Sequence, residues 1–375
     1  MMADVATDAA GTVASTTATS EIAPPETSVA DRAAKRARVL DLLERRGATS
    51  IVLRSHTAVS WYLDGARTHV SLAGDPVAAI VVRRDGDELR VFANEADRLL
   101  AEELPSRERL DVVRVPWHEA LAAPGVAELD EADVVADLRA ARAGLLPGEL
   151  GRYRRLGREV AEVLTDAASA ALPTTTERQL AARLAGELAE RGIDPLVTLV
   201  ASRSRLAHRH PLPTEAPIGD RAMLVVCGRR HGLIANATRW LRFGPGDAGE
   251  ADAMRRILDV EAEVLAATRP GATFGDVFAI GAAAYARHGF DADEWRRHHQ
   301  GGAAGYAGRD PRAVPGLADV VHAGQAFAWN PTAPGAKVED TVVVGSGRLD
   351  VLTVDPRWPT VSVAGLDRPD EFAHR

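Results

Sequence analysis

Apolar residues recur along this chain with two periods, and the switches between them set out its elements. From Asp31 the run DRAAKRARVLDLLERRGA carries leucines and valine at helical spacing and stops at Gly47, which predicts a first helix. Short apolar runs predict strands at Ser50–Arg54, Val77–Arg83 and Glu88–Ala93, followed by a helix from Glu95 to about Glu103. A proline- and acid-punctuated link around Pro124–Ala132 leads to a strand-like DVVADL and then to a long helix over Gly148–Ala171. Thr174, three residues before Glu177, is placed to form a capping box for a helix reaching Arg191. A strand at Leu196–Ser202 follows, then the central stretch Met223–Gly244, MLVVCGRRHGLIANATRWLRFG. Its two apolar runs flank a turn holding Gly228 and Gly232, which is a β-hairpin pattern. Alternation along the first run sets Cys227 against Val226, and burial on the apolar side of the sheet is expected for the thiol. Amphipathic helices over Glu250–Ala267 and Phe274–His288 complete the regular pattern.

Composition narrows the classes of function. With 375 residues the chain is long enough for two domains, and 46% hydrophobic with 26% charged residues is ordinary for a soluble globular protein. A net charge of −8 argues against nucleic acid or an anionic membrane as partner and leaves a small-molecule substrate. The single cysteine, Cys227, excludes an internal disulfide and suits a reducing, cytoplasmic setting. No apolar run reaches the length of a membrane span. Residues 1–30, rich in Ala, Thr, Ser and Pro, lack the marks of a signal peptide and are expected to form a disordered tail. The only lysines, Lys35 and Lys337, stand among many arginines, which reads as the codon bias of a GC-rich genome.

Several short motifs carry a resemblance. The hairpin glycines with Thr238-Arg239, the Trp61-Tyr62-Leu63-x-Gly65 segment, His210 with Pro213-Thr214, the glycine-rich Gly301–Gly305, Asn330-Pro331 and Glu339-Asp340 stand in one order along the chain. Together they resemble the pita-bread metallopeptidases, the family of methionine aminopeptidase, aminopeptidase P, prolidase and creatinase. The resemblance implies an α/β creatinase-like N-terminal domain over residues 31–146. It implies an α+β pita-bread (creatinase/aminopeptidase) C-terminal domain over 147–366, a tail over 367–375, and a homodimer. It also implies two divalent ions held by two aspartates, a histidine and two glutamates. At those positions this chain has Val226, Asn236, Gly302, Asn330 and Glu339, and a one-residue slip of the hairpin brings Val225 in place of Val226. One carboxylate does not hold two bridged cations, so no metal and no cofactor are expected.

The resemblance then points to a chemistry carried by side chains. His210 stands where creatinase, which works without metal, has its catalytic histidine, and is expected to act as general acid and base. Glu339 is expected to anchor a cationic substrate or orient His210, with Asn236, Thr238, His298 and Asn330 binding substrate. His298 and His299 are adjacent, and on a strand only one of them would face the pocket. Arg309 and Asp310 read as a surface ion pair, and a replacement ion on His210, His298 and Glu339 is an alternative. The function expected is metal-independent hydrolysis of a C–N bond in a small amide, amidine or guanidino compound. A non-catalytic binding relative and a metal-dependent Xaa-Pro aminopeptidase are the alternatives.

Overall fold

A computed structural model of the chain describes residues 28–104, 110–123, 125–345 and 347–374. Nearly all of the expected N-terminal tail therefore lies outside the described residues.

The first layer is built by α1 (Val29–Arg46), β1 (Ser50–Leu53), α2 (His56–Tyr62), β2 (Ala78–Arg83), β3 (Asp87–Phe92), α3 (Ala96–Arg98, continued as a wide turn to Glu103), β4 (Leu110–Val115), β5 (Leu129–Asp130) and α4 (Val135–Ala143). Ser28 caps α1 by accepting the Asp31 amide, and Gly47, at φ 65°, ends the helix. The five strands form one mixed sheet in the order β4-β3-β2-β1-β5. The segment DVVADL is not a strand. Asp130 and Asp133 form a reciprocal cap at its start, and a 3-10 turn followed by α4 takes over.

The second part runs through α5 (Pro147–Ser169), α6 (Glu177–Glu190), β6 (Asp194–Ser202), β7 (Arg221–Arg230), β8 (Leu233–Phe243), α7 (Ala248–Ala267) and α8 (Phe274–Arg287). It ends with the short strands β9 (Gly301–Ala304), β10 (Ala326–Trp329), β11 (Thr332–Ala333), β12 (Ala336–Lys337), β13 (Asp340–Val344), β14 (Leu349–Val351), β15 (Thr360–Val363), β16 (Leu366–Pro369) and β17 (Phe372–His374). The cap of α6 is Thr176 with Gln179, not Thr174 with Glu177; Glu177 is buried and serves elsewhere. Residues 367–374 are no tail. They complete β16 and β17, where β17 pairs in parallel with β8 and Arg368 is buried against Glu261.

Two sheets frame the interior: β17-β8-β7-β6 and β14-β13-β10-β9. One face of β7 and β8 (Leu224, Val226, Ala235, Ala237) packs into the large core with residues of α5 and α6. The other (Met223, Val225, Trp240) meets α7. The hairpin turns on His231 and Gly232, both with positive φ, a geometry that matches the twist of paired strands. A Cβ on Gly232 would sit 2.7 Å from the Tyr306 ring and 2.8 Å from Ser60, so only glycine lets the turn wedge there. Among the described residues no helix is long and apolar enough to cross a membrane.

Candidate functional site

The register of the hairpin decides which side chains face the interior between the two sheets. Thr238 lies opposite Val225, Ala237 opposite Val226, and Asn236 opposite Cys227. Residues directly opposite in an antiparallel pair share a face, so Val225 and Cys227, not Val226, stand with Asn236 and Thr238. Two expectations are corrected here. The first aspartate position is Val225, still a valine, and Cys227 faces the site side. Burial and the Glu339 carboxylate push its thiol up to about 12, which leaves it protonated.

Strand β8 meets the β13 region through a bridge from the Thr238 amide to the Glu339 carbonyl. That bridge seats the Glu339 carboxylate in the interior, 2% exposed. Arg309 donates to Oε1 at 2.5 Å, Lys337 Nζ to Oε2 at 2.7 Å, and the Thr238 hydroxyl to Oε2 at 3.1 Å. Lys337 also donates to the Thr238 hydroxyl at 2.8 Å. Burial opposes the charge on Glu339, but Lys337 and Arg309 overcome it and hold the carboxyl down to about 2. Arg309 therefore does not pair with Asp310 on the surface; Asp310 pairs with Arg142. Glu339 is closed off by two cations, so it is neither a free anchor for a cationic substrate nor bonded to His210.

Asn236 is fully buried, tied by its backbone to the Thr341 hydroxyl, and its Oδ1 has no partner. Asn330, fixed by its amide on the Gln300 carbonyl, likewise leaves Oδ1 buried and unpaired. Arg309 Nε is a buried donor without a partner. Unpaired buried polar atoms cost on the order of 1–3 kcal/mol each, which singles out these three as candidates for ligand contact.

His210 arrives on the loop after β6. The buried Glu177 carboxylate organises that loop, accepting from the Ser202 amide and hydroxyl at 2.8 Å and from the Thr214 amide and hydroxyl at 2.9 and 2.7 Å. Arg209 then pairs with Glu294, in the turn that precedes His298. The result is that His210 Nε2 lies 3.1 Å from His298 Nε2. His299 joins them, its ring stacked on that of His210 at 5.8 Å and on that of His298 at 4.4 Å. The expectation that only one of the two adjacent histidines turns inward fails: residues 298–300 belong to no paired strand, and ring nitrogens of both histidines lie within 4.8 Å of each other and of His210. Burial, reinforced by neighbouring cations, lowers all three imidazoles: His210 below its usual value, His298 to about 3, and His299 to about 4. At neutral pH the three rings are uncharged.

The dinuclear metal centre implied by the resemblance does not fit these residues. Val225 and Gly302 supply no ligand, and Asn236 and Asn330 supply neutral oxygens. A Cβ on Gly302 would stand 2.4 Å from the Pro311 carbonyl and 2.7 Å from the Ala313 amide, so a histidine is excluded from that place. Glu339 is already neutralised by two fixed cations. The sequence reading missed Lys337, Arg309, His299 and Glu177. A signal existed for Lys337, since one lysine kept in an arginine-rich chain asks for a local reason.

The family model of metallopeptidase family M24 matches residues 151–346. No curated protein matches the chain. Among solved structures the fold is similar to the prolidase from Pyrococcus horikoshii OT3, with TM-score 0.71 and 16% identity over 86% of this chain and 99% of that one. It is similar to dipeptidase PepE from Mycobacterium ulcerans, with TM-score 0.71 and 19% identity over 92% and 99%. The N-terminal domain of FACT complex subunit SPT16 from chickpea also matches, with TM-score 0.64 and 12% identity over 86% and 97%. At these identities the likeness is one of fold.

Proposed function

The chain belongs to metallopeptidase family M24, and from that premise we propose a hydrolase that cleaves a C–N bond of a small polar substrate without the family's dinuclear centre. One observation carries the reading: the Glu339 carboxylate is bound by Lys337 and Arg309, which put two fixed positive charges beside the one metal-ligand position that keeps its acid. A hydrolase needs positive charge where an oxyanion develops, and preorganised side-chain donors provide it as metal ions do. The Lys337 ammonium has three N–H groups, of which two are spent on Thr238 and Glu339, leaving one for a substrate oxygen. Neutral His210 supplies the proton chemistry. When its Nε2 donates to His298, its Nδ1 is bare and takes a proton from water; the hydroxide so formed adds to the carbonyl carbon. The imidazolium then returns that proton to the leaving nitrogen as the C–N bond breaks. The unpaired Oδ1 atoms of Asn236 and Asn330 accept from substrate N–H groups. Since Glu339 is occupied, an amide whose oxygen meets Lys337 suits the pocket better than a guanidino cation.

The test is turnover of a panel of small amides by protein treated with a chelator. Activity that survives chelation and falls by roughly 10²–10⁴-fold in His210→Ala is expected. Activity that vanishes with chelator and returns with Mn2+ or Co2+ overturns the reading. A second reading, a relative that binds a partner without chemistry, draws on the similarity to a subunit of the FACT complex; it predicts no turnover of any amide in the wild type.

A further inference from the structure

Three imidazoles converge at this site, more than an acid/base pair requires. His210, His298 and His299 each present a ring nitrogen, and these atoms all lie within 4.8 Å of one another. The Nε2 atoms of His210 and His298 stand 3.1 Å apart. Bonds of about 2.0–2.1 Å to a tetrahedral ion set its ligand nitrogens about 3.3 Å apart, so this pair already spans one edge of such a polyhedron. We propose that His210, His298 and His299 form a mononuclear site for a borderline transition-metal ion such as Zn2+, with the fourth position open to water.

The site uses none of the five family ligand positions, and its chemistry differs from theirs. Neutral imidazoles favour Zn2+, Cu2+ or Ni2+ over the hard ions that carboxylates hold. Because burial keeps His298 and His299 unprotonated, an ion meets lone pairs without displacing charge-bearing protons there. Between His210 and His298 it replaces the single proton that the two Nε2 atoms share. His298 is 9% exposed and its Nδ1 has no partner; the Nδ1 of His299 is likewise buried and unpaired. His210 sits on an exposed loop and is free to close the longer edges of the triangle. The cations Lys337, Arg309 and Arg312 oppose an added positive charge, and Glu339 favours it. Glu339 offsets one of the two charges on Lys337 and Arg309, so the other and Arg312 remain for the ion to overcome.

The ion site stands on this geometry alone and holds whether or not the chain is a hydrolase. If the proposed hydrolysis also holds, an ion on His210 captures the general base, so Zn2+ inhibits.

The experiment is titration of tag-free, metal-free full-length protein with Co2+, read by visible d–d absorption, and with Zn2+ by calorimetry. Tetrahedral Co2+ absorption saturating at one ion per chain is expected, with roughly 100-fold weaker binding in His298→Ala and in His299→Ala. His210→Ala, at an exposed position that leaves the fold intact, must weaken binding as well. His322→Ala is the control and leaves it unchanged. No tetrahedral spectrum in the wild type, or equal affinity in wild type and His210→Ala, overturns the proposal. Neither readout uses a substrate, so failure here and failure of the hydrolase reading are seen separately.

Discussion

Lys337 illustrates how much a single side chain changes the chemistry of an inherited site. Its ammonium and the Arg309 guanidinium compensate Glu339 where the resemblance implies metal ions, and the three side chains are almost wholly buried. Replacing one member of a buried ion cluster leaves the others uncompensated, so Glu339→Gln is expected to cost about 3–5 kcal/mol in urea unfolding. The pH dependence follows from the sign of the shift. Glu339 titrates lower in the folded state than in the unfolded chain, so its contribution is complete above about pH 4.5 and is lost as pH falls toward about 2. Wild type should therefore lose more stability between pH 5 and pH 3 than Glu339→Gln, and equal losses would mean that the cluster adds nothing. Asn236, Asn330 and Glu339 stand out in the sequence because the residues flanking them keep the family motifs. Lys337 does not, because its charge partner is fixed by tertiary contact rather than by spacing, though both lysines of the chain prove to be buried in ion networks.

Among the elements, β9 and the hairpin show where pattern reading succeeds and where it slips. The hairpin was visible from its alternating apolar runs and glycine turn, but its register was not. Val225 and Val226 are alike in sequence, and only pairing with Thr238 and Ala237 tells which faces the site. The apolar residues of DVVADL fit either period over so short a run, and the Asp130–Asp133 cap tips it into a helix. Gly302, in β9, has φ 145° and backbone on both sides. Gly302→Ala is expected to lower stability by roughly 2 kcal/mol or more, read as a fall in Tm, and Gly302→His to do so without gaining metal. The loop that carries His210 is organised by Glu177 from α6, a positioning role that its place in the sequence hid behind an expected helix cap. Glu177→Ala should lower kcat with little change in overall fold by circular dichroism. Loss of the fold itself would show that Glu177 is a core residue first.

At the scale of the whole molecule, the two halves are joined through buried charge. Lys35 of α1 bonds Asp64 at 2.5 Å and Glu149 of α5 at 2.8 Å, Arg152 bonds Asp64 at 2.7 Å, and the Tyr306 hydroxyl donates to Glu149 at 2.8 Å. Asp64→Asn is expected to destabilise by about 3–5 kcal/mol and to separate the unfolding of the N-terminal sheet from the rest, seen as a second transition in calorimetry. The α/β to α+β order was legible because helix and strand periods alternate clearly. The clamp was not, since Lys35, Asp64, Glu149 and Tyr306 lie far apart in the chain. Anomalous scattering from crystals soaked in Mn2+ decides whether fixed side-chain cations stand in place of the family's metal pair. Mn2+ seeks the oxygen-rich centre rather than the histidines. No anomalous peak is expected beside Glu339, with Lys337 and Arg309 still bonded to it. A pair of peaks bridged by Glu339, with Lys337 swung away, would contradict this expectation.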